Sequence, residues 1–185
     1  NGCILHYIEN NSKLKNNDLL LIDAGAEYQC YAADITRTFP VNGKFTPAQR
    51  ELYQIVLDAQ YAAIEAVKPG NHWNQPHEAA VQVLTEGLVK LGLLQGNVDK
   101  LIEDQAYREF YMHRTGHWLG MDVHDVGDYK IDCTWRLLEP GMVLTVEPGL
   151  YIRDPEHIDK KWHFTGIRIE DDVLVTKEGH EVLSA

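Results

Sequence analysis

The sequence predicts an α+β fold, and three features of its patterning carry that prediction. A short apolar run ending in an acid and a β-compatible stretch lie in the first forty residues, two amphipathic segments fill the middle, and β-compatible runs return after residue 140. Strands, then helices, then strands is the order of an α+β domain rather than of a parallel βαβ array.

Leu19-Leu20-Leu21-Ile22-Asp23 reads as a buried strand closed by an acid. Ala24-Gly25-Ala26-Glu27 supplies a turn, and Tyr28–Phe39 carries β-compatible residues, so a second strand is expected to fold back on the first. Thr46-Pro47-Ala48-Gln49 opens a helix: Thr46 is suited to the N-cap, Pro47 to the first helical position, and Gln49 completes a capping box. Leu52, Ile55, Val56, Ala59, Ala62, Ala63 and Ala66 then recur at helical steps, until Pro69-Gly70 ends the pattern. A second helix is expected over Pro76–Leu91, with an apolar stripe of Ala80, Val83, Leu84, Leu88 and Leu91 and Gly92 just beyond its end. A short amphipathic turn follows near Val98–Gln105. Met142–Val146, Ile167–Glu170 and Val173–Thr176 are the later strands.

Bulk properties narrow the function classes. A chain of 185 residues suffices for one domain with a hydrophobic core. The net charge of −11, with scattered basic residues, disfavours nucleic acid as a partner. No apolar run approaches the roughly 20 residues of a membrane span, so no membrane partner is expected. Cys3, Cys30 and Cys133 are dispersed and odd in number, which suggests reduced thiols and a cytoplasmic setting. The opening residues, which do not begin with Met, read as the middle of a longer protein.

Four acids stand out in the strand pattern. Side chains two apart share a strand face, so Asp23, Glu147 and Glu170 each terminate or flank an apolar strand, while Asp34 alternates in phase with Thr36 and Thr38. Each acid alone could be a solvated strand end. If the four converge, the balance changes: two unit charges 4 Å apart repel by about 4 kcal/mol at an effective dielectric of 20. Two divalent cations would offset four negative charges. An oxygen-rich set with one nitrogen donor suits Mn(II) or a similar hard-to-borderline ion. Such a pair can hold a bridging water as hydroxide and polarise a carbonyl.

The densest histidine segment runs from Met112 to Gly127 and contains His113, His117 and His124. Gly116 and Gly120 argue against a regular helix, so the spacing of His113 and His117 is not a helical HExxH zinc motif. His72, His77, His157, His163 and His180 read as ordinary partly buried or exposed histidines.

The motifs together resemble a known family. Asp23-Ala24-Gly25 with Tyr31-Ala32-Ala33-Asp34-Ile35-Thr36-Arg37-Thr38-Phe39-Pro40 resembles the first metal-binding hairpin of the pita-bread metallopeptidases. Gly116-His117-Trp118-Leu119-Gly120 with Asp122-Val123-His124-Asp125-Val126-Gly127 is similar to the histidine region of their Xaa-Pro aminopeptidase (aminopeptidase P) and prolidase branch. Glu139-Pro140-Gly141-Met142, Glu147-Pro148-Gly149-Leu150-Tyr151 and Gly166-Ile167-Arg168-Ile169-Glu170-Asp171-Asp172 resemble the remaining blocks.

The resemblance implies a curved antiparallel sheet flanked by helices, incomplete at its N-terminal side, with residues 1–185 forming a catalytic-domain fragment of a larger, homo-oligomeric protein. It implies two divalent metal ions, Mn(II) foremost, on Asp23, Asp34, His117, Glu147 and Glu170, with Asp34 and Glu170 bridging. His113 and His124 would contact substrate and stabilise the oxyanion, His6 would line the pocket, and Tyr151 would form part of the substrate wall. Arg168 would support the cluster from behind, and Glu147 would also move a proton during catalysis. The implied activity is hydrolysis of the bond between an N-terminal residue and a following proline, so the expected partners are peptides with proline in second position. Prolidase activity on dipeptides and a non-catalytic peptide-binding module are the alternatives.

Overall fold

A computed structural model describes residues 1–184. The first hairpin forms as expected in kind but is shorter. Strand β1 (Leu19–Asp23) pairs antiparallel with β2 (Thr36–Pro40), with Asp23 opposite Thr36. The Tyr28–Phe39 stretch is therefore strand only in its last part. Gln29 and Cys30 both adopt left-handed backbone (φ 51° and 64°), which closes a tight turn between Tyr28 and Tyr31. That turn uses up the residues that a longer strand would need.

Helix α1 (Pro47–Glu65) begins with the predicted capping box: Thr46 Oγ1 accepts from the Gln49 N–H, and Gln49 Oε1 accepts from the Thr46 N–H. Its buried stripe is Leu52, Val56, Ala59, Gln60, Ala63 and Ile64, rotated slightly from the apolar pattern. Gln60 belongs there because its side-chain amide donates to Asp171 Oδ2 at 2.5 Å, which satisfies a polar group inside the core. Helix α2 (Gln75–Lys90) packs against α1 through Gly87, where a Cβ would lie 2.5 Å from Ile55 Cγ2. Gly92 follows with φ 75°, the left-handed conformation that glycine adopts without strain. A short helix, α3 (Val98–Glu103), completes this layer.

The remaining strands are β3 (Lys130–Ile131), β4 (Thr134–Trp135), β5 (Val143–Val146), β6 (Gly149–Ile152), β7 (Thr165–Arg168), β8 (Asp171–Val175) and β9 (His180–Val182). The β3–β4 hairpin turns through Asp132 and Cys133, both with positive φ, and was not anticipated. All strand pairs are antiparallel: β1–β2, β3–β4, β6–β7 and the order β5–β8–β9. Bridges join these pieces. Thr36 pairs with Glu170, and Trp118 pairs with Leu144.

The pleat separates core from site. Leu144, Val146, Ile167 and Ile169 enter the hydrophobic core with Leu52, Val56, Leu84 and Leu88 of the helices. Thr145, Glu147, Arg168 and Glu170 alternate with them and so point to the opposite face. Helices thus back one side of the curved sheet, and the acids gather on the other.

Candidate metal centre

Each of the four acids is placed by backbone pairing. Asp23 ends β1. The chain leaving it passes so close to the chain entering Asp34 that a Cβ on Gly25 would lie 1.6 Å from the Ala33 carbonyl oxygen. Asp34 precedes β2, and its backbone N–H donates to the Asp172 carboxylate at 3.1 and 3.3 Å. Glu147 follows β5, with its N–H bonded to the Thr115 carbonyl at 2.8 Å. Glu170 lies between β7 and β8, with its N–H bonded to the Thr36 carbonyl at 3.1 Å.

The histidine segment runs beside β5 as an extra ladder. Thr145 N–H donates to the His117 carbonyl at 3.0 Å, and Leu119 N–H donates to the Val143 carbonyl at 3.2 Å. Gly116 permits that approach, since a Cβ there would stand 2.0 Å from the Thr145 carbonyl oxygen. The glycine that argued against a helix thus has a specific task in the ladder.

These placements bring all five expected ligands together. Donor atoms of Asp23, Asp34 and Glu170 lie within 4.8 Å of one another, as do those of His117, Glu147 and Glu170, and those of Asp34, His117 and His124. His117 Nε2 is 3.4 Å from Asp34 Oδ2 and 3.7 Å from Glu147 Oε1. Its Nδ1 lies 2.9 Å from the Trp118 carbonyl oxygen. A carbonyl only accepts, so Nδ1 carries a hydrogen and Nε2 is the nitrogen that faces the acids. Burial opposes a charge on His117, but the hydrogen bonds to Asp34 and the Trp118 carbonyl, with the nearby acid charges, together outweigh it and raise the imidazole, so a metal on Nε2 would displace a proton.

The electrostatics fit a cation site. Burial, followed by the charge of Glu170, pushes the Glu147 carboxyl up to about 8. Burial, followed by the charge of Asp34, does the same to Glu170, also to about 8. Burial and a shared hydrogen bond with Asp34 raise Asp23. Asp34 goes the other way: burial acts to raise it, but hydrogen bonds from His117 and Asp23 together lower it. Crowded carboxylates of this kind are relieved by divalent ions, and an oxygen-rich set with one imidazole nitrogen suits hard-to-borderline metals.

Arg168 organises the floor of the site. Its Nη2 donates to Asp23 Oδ2 at 2.6 Å, its Nε to Thr36 Oγ1 at 3.2 Å, and its Nη1 to the Tyr151 hydroxyl at 3.1 Å. Thr36 Oγ1 in turn donates to Glu170 Oε2 at 2.5 Å. One guanidinium therefore touches one acid directly and a second through a hydroxyl.

The other expected site residues divide. His6, His113 and His124 line the cavity above the acids. His113 is held at both nitrogens: Nδ1 lies 2.7 Å from the Arg114 carbonyl oxygen and Nε2 lies 2.8 Å from the Tyr151 hydroxyl. Burial pushes His113 down to about 4, so the imidazole is neutral at ordinary pH. His124 stands edge-on to His117, with ring centroids 4.3 Å apart. Tyr151 departs from expectation. It is buried, with 1% exposure, and lies behind His113 rather than on the cavity wall, because its hydroxyl is drawn between Arg168 and His113.

The cavity has a volume of about 590 Å³, enough for a short peptide, and part of its wall was not foreseen. Trp73, Tyr129 and Trp135 line it together with Leu5 and Arg114. Trp73 and Trp118 lie 4.1 Å apart by ring centroids, and Trp118 stacks on Tyr129 with an interplanar angle of 2°. Aromatic residues in loops beside breakers such as Pro69-Gly70 were the available signal. Four of the remaining histidines bind locally: His77 Nδ1 meets Thr115 Oγ1 at 2.8 Å, His163 meets the Ile158 carbonyl at 2.8 Å, His157 Nε2 lies 3.1 Å from Glu109, and His180 Nδ1 lies 3.2 Å from the Val67 carbonyl oxygen, whereas His72 Nδ1 is buried with no partner among the described residues.

Comparison with known proteins matches residues 1–177 to the family described as metallopeptidase family M24. An Xaa-Pro aminopeptidase of Haemophilus influenzae is 56% identical over 185 residues, covering 100% of this chain and 43% of the relative. The Xaa-Pro aminopeptidase of Escherichia coli is 55% identical, with 100% and 42% covered. Among solved structures, Pseudomonas aeruginosa aminopeptidase PepP superposes with a TM-score of 0.98 at 60% identity, covering 100% of this chain and 42% of that one. A zinc-substituted E. coli aminopeptidase P in complex with product gives 0.96 at 54% identity, with the same coverage. The chain thus spans less than half the length of these relatives.

Proposed function

The chain belongs to metallopeptidase family M24, and from that premise we propose that it is part of the catalytic domain of an Xaa-Pro aminopeptidase. Residues 1–185 would supply the hydrolytic centre of a longer, homo-oligomeric protein acting on peptides with proline in second position. The carrying observation is the convergence of Asp23, Asp34, His117, Glu147 and Glu170 at the floor of one cavity. Relatives named for Xaa-Pro cleavage at 55–56% identity support the substrate class.

Those five residues would hold two divalent ions, and Mn(II) is the metal that suits their donor set. When bound, such ions polarise the scissile carbonyl and make water a nucleophile near neutral pH. The protein's own groups do the rest. His117 offers Nε2 because Nδ1 is committed to the Trp118 carbonyl. Glu147 faces the cavity, where its carboxylate would take a proton from the attacking water and return it to the departing proline nitrogen. His113 and His124 flank the position of the reacting carbonyl, and His6 bounds the pocket for the N-terminal residue. Arg168 and Tyr151 act as positioning residues, the first on Asp23 and the second on His113. The free thiols of Cys3, Cys30 and Cys133 are consistent with a reducing, cytoplasmic compartment. Exposed apolar side chains such as Tyr28, Met121 and Val126 offer surface that an oligomer would cover.

The test is direct. Full-length protein should release the first residue from Xaa-Pro-Xaa peptides, lose activity with a chelator and regain it with Mn(II). Cleavage of dipeptides alone would redirect the assignment to a prolidase, and no cleavage of either would defeat it.

A further inference from the structure

We propose that Arg114, seated at the cavity rim against Trp135, is a specificity residue that binds a carboxylate carried by the substrate beyond its proline. The inference rests on the aminopeptidase reading and names a feature of that same site.

Cations on the cavity wall are few. Among its lining residues the arginines are Arg114 and Arg168. Arg168 is engaged with Asp23, Thr36 and Tyr151. Arg114 is exposed, and of its five N–H donors one, on Nη2, is bonded to Asn74 Oδ1. No acceptor among the described residues takes the others. The guanidinium is nevertheless held in place. It stands 5.1 Å from the centroid of the Trp135 ring, and Lys130 Nζ stands 4.1 Å from the same ring.

Two cations therefore meet on one aromatic plate at the edge of a cavity whose floor is crowded with acids. A peptide ending soon after its proline brings a negative charge toward that floor. The net charge of −11 opposes its entry. Arg114 offers the local counter-charge, with donors in the planar fork that suits a carboxylate. Trp73, Tyr129 and Trp135 supply an apolar wall along which the intervening backbone can lie. The carboxylate can be the free C-terminus of a tripeptide or an acidic side chain after proline.

Three substrates separate these sources: Ala-Pro-Ala, Ala-Pro-Ala amide and Ala-Pro-Glu amide. They are compared on the Mn(II)-loaded full-length protein and on Arg114→Gln and Arg114→Lys. The unmodified protein should favour one or both carboxylate-bearing peptides over Ala-Pro-Ala amide by roughly tenfold in KM, the scale of one charge-assisted hydrogen bond. The substrate that shows the preference identifies the source. Arg114→Gln should bring the ratio close to one, and Arg114→Lys should keep part of it. Equal KM for all three peptides, or a preference that survives Arg114→Gln, overturns the proposal. Calorimetric binding of Pro-Ala against Pro-Ala amide gives the same contrast without turnover. If no peptide is cleaved yet Arg114→Gln abolishes a calorimetric preference for Pro-Ala, the aminopeptidase reading falls and the carboxylate site stands.

Discussion

Arg168 Nη2 sits 2.6 Å from Asp23 Oδ2, a contact that ties the end of β7 to the end of β1 across the floor of the site. The arginine side chain is 5% exposed, and the aspartate 39%. Asp23 thus gains a fixed direction from a partner that is itself buried. Replacing Arg168 with Ala should leave the five assigned ligands in the chain but free the Asp23 carboxylate to swing. Loss of such an outer contact typically costs 10–100-fold in metal affinity or activity. We expect a fall of that size in kcat/KM and weakened metal retention on dialysis. Unchanged values in Arg168→Ala would mean that the contact orders nothing.

The assigned ligands should behave differently. His117→Ala and Glu170→Gln each remove a donor from the cluster. Elemental analysis should find the loss of one or both metals per chain, with activity falling by more than the roughly 10–100-fold expected of outer contacts. Full stoichiometry in both variants would refute the assignment.

The two kinds of residue were not equally legible in the sequence. Asp23, Glu147 and Glu170 were visible because each ends or flanks an apolar strand, and Asp34 because it alternates in phase with Thr36 and Thr38; the resemblance named them as one ligand set, and the structure brings the four together. The α1 start was legible for a local reason, the reciprocal bonds of Thr46 and Gln49. The place of Tyr151 was not. A four-residue strand such as Gly149–Ile152 with every residue buried gives no alternation from which to choose a face. The aromatic wall was hidden for a related reason. Trp73 lies far in the chain from Tyr129 and Trp135 of the β3–β4 hairpin and meets them only through loop packing, which periodicity does not describe. Gln60 shows the limit within a helix: a polar residue at a buried position becomes intelligible only once Asp171 is seen beside it.

His77 makes a pH prediction for stability. Burial first, then the charge of Arg114, pushes its imidazole down to about 4 from an ordinary value of 6.5. The unfolded chain therefore takes up the proton before the folded one does. The contribution is complete above about pH 6.5 and is lost as pH falls through about 4. Its size is no more than about 3 kcal/mol, at 1.36 kcal/mol for each pKa unit. In His77→Gln, the denaturation midpoint should vary less over that window than in the native sequence. Parallel midpoint curves for the two proteins would contradict this.

Gly116 links fold to site most closely. A Cβ at that position would stand 2.0 Å from the Thr145 carbonyl oxygen, a backbone atom fixed by the β5–β8 pairing. The clash has no flexible side chain to absorb it, so Gly116→Ala must push the histidine segment away from β5. The hydrogen bonds from Thr145 N–H to the His117 carbonyl and from Glu147 N–H to the Thr115 carbonyl would lengthen together. We expect a stability loss of roughly 1–3 kcal/mol, the usual cost of overpacking. Because the same shift moves His117 and Glu147 apart, metal affinity should fall in the same variant even at temperatures where it stays folded. Denaturant titration and metal titration on one preparation separate the two effects. A destabilised variant that binds metal with native affinity would show that the ladder supports the fold without positioning His117.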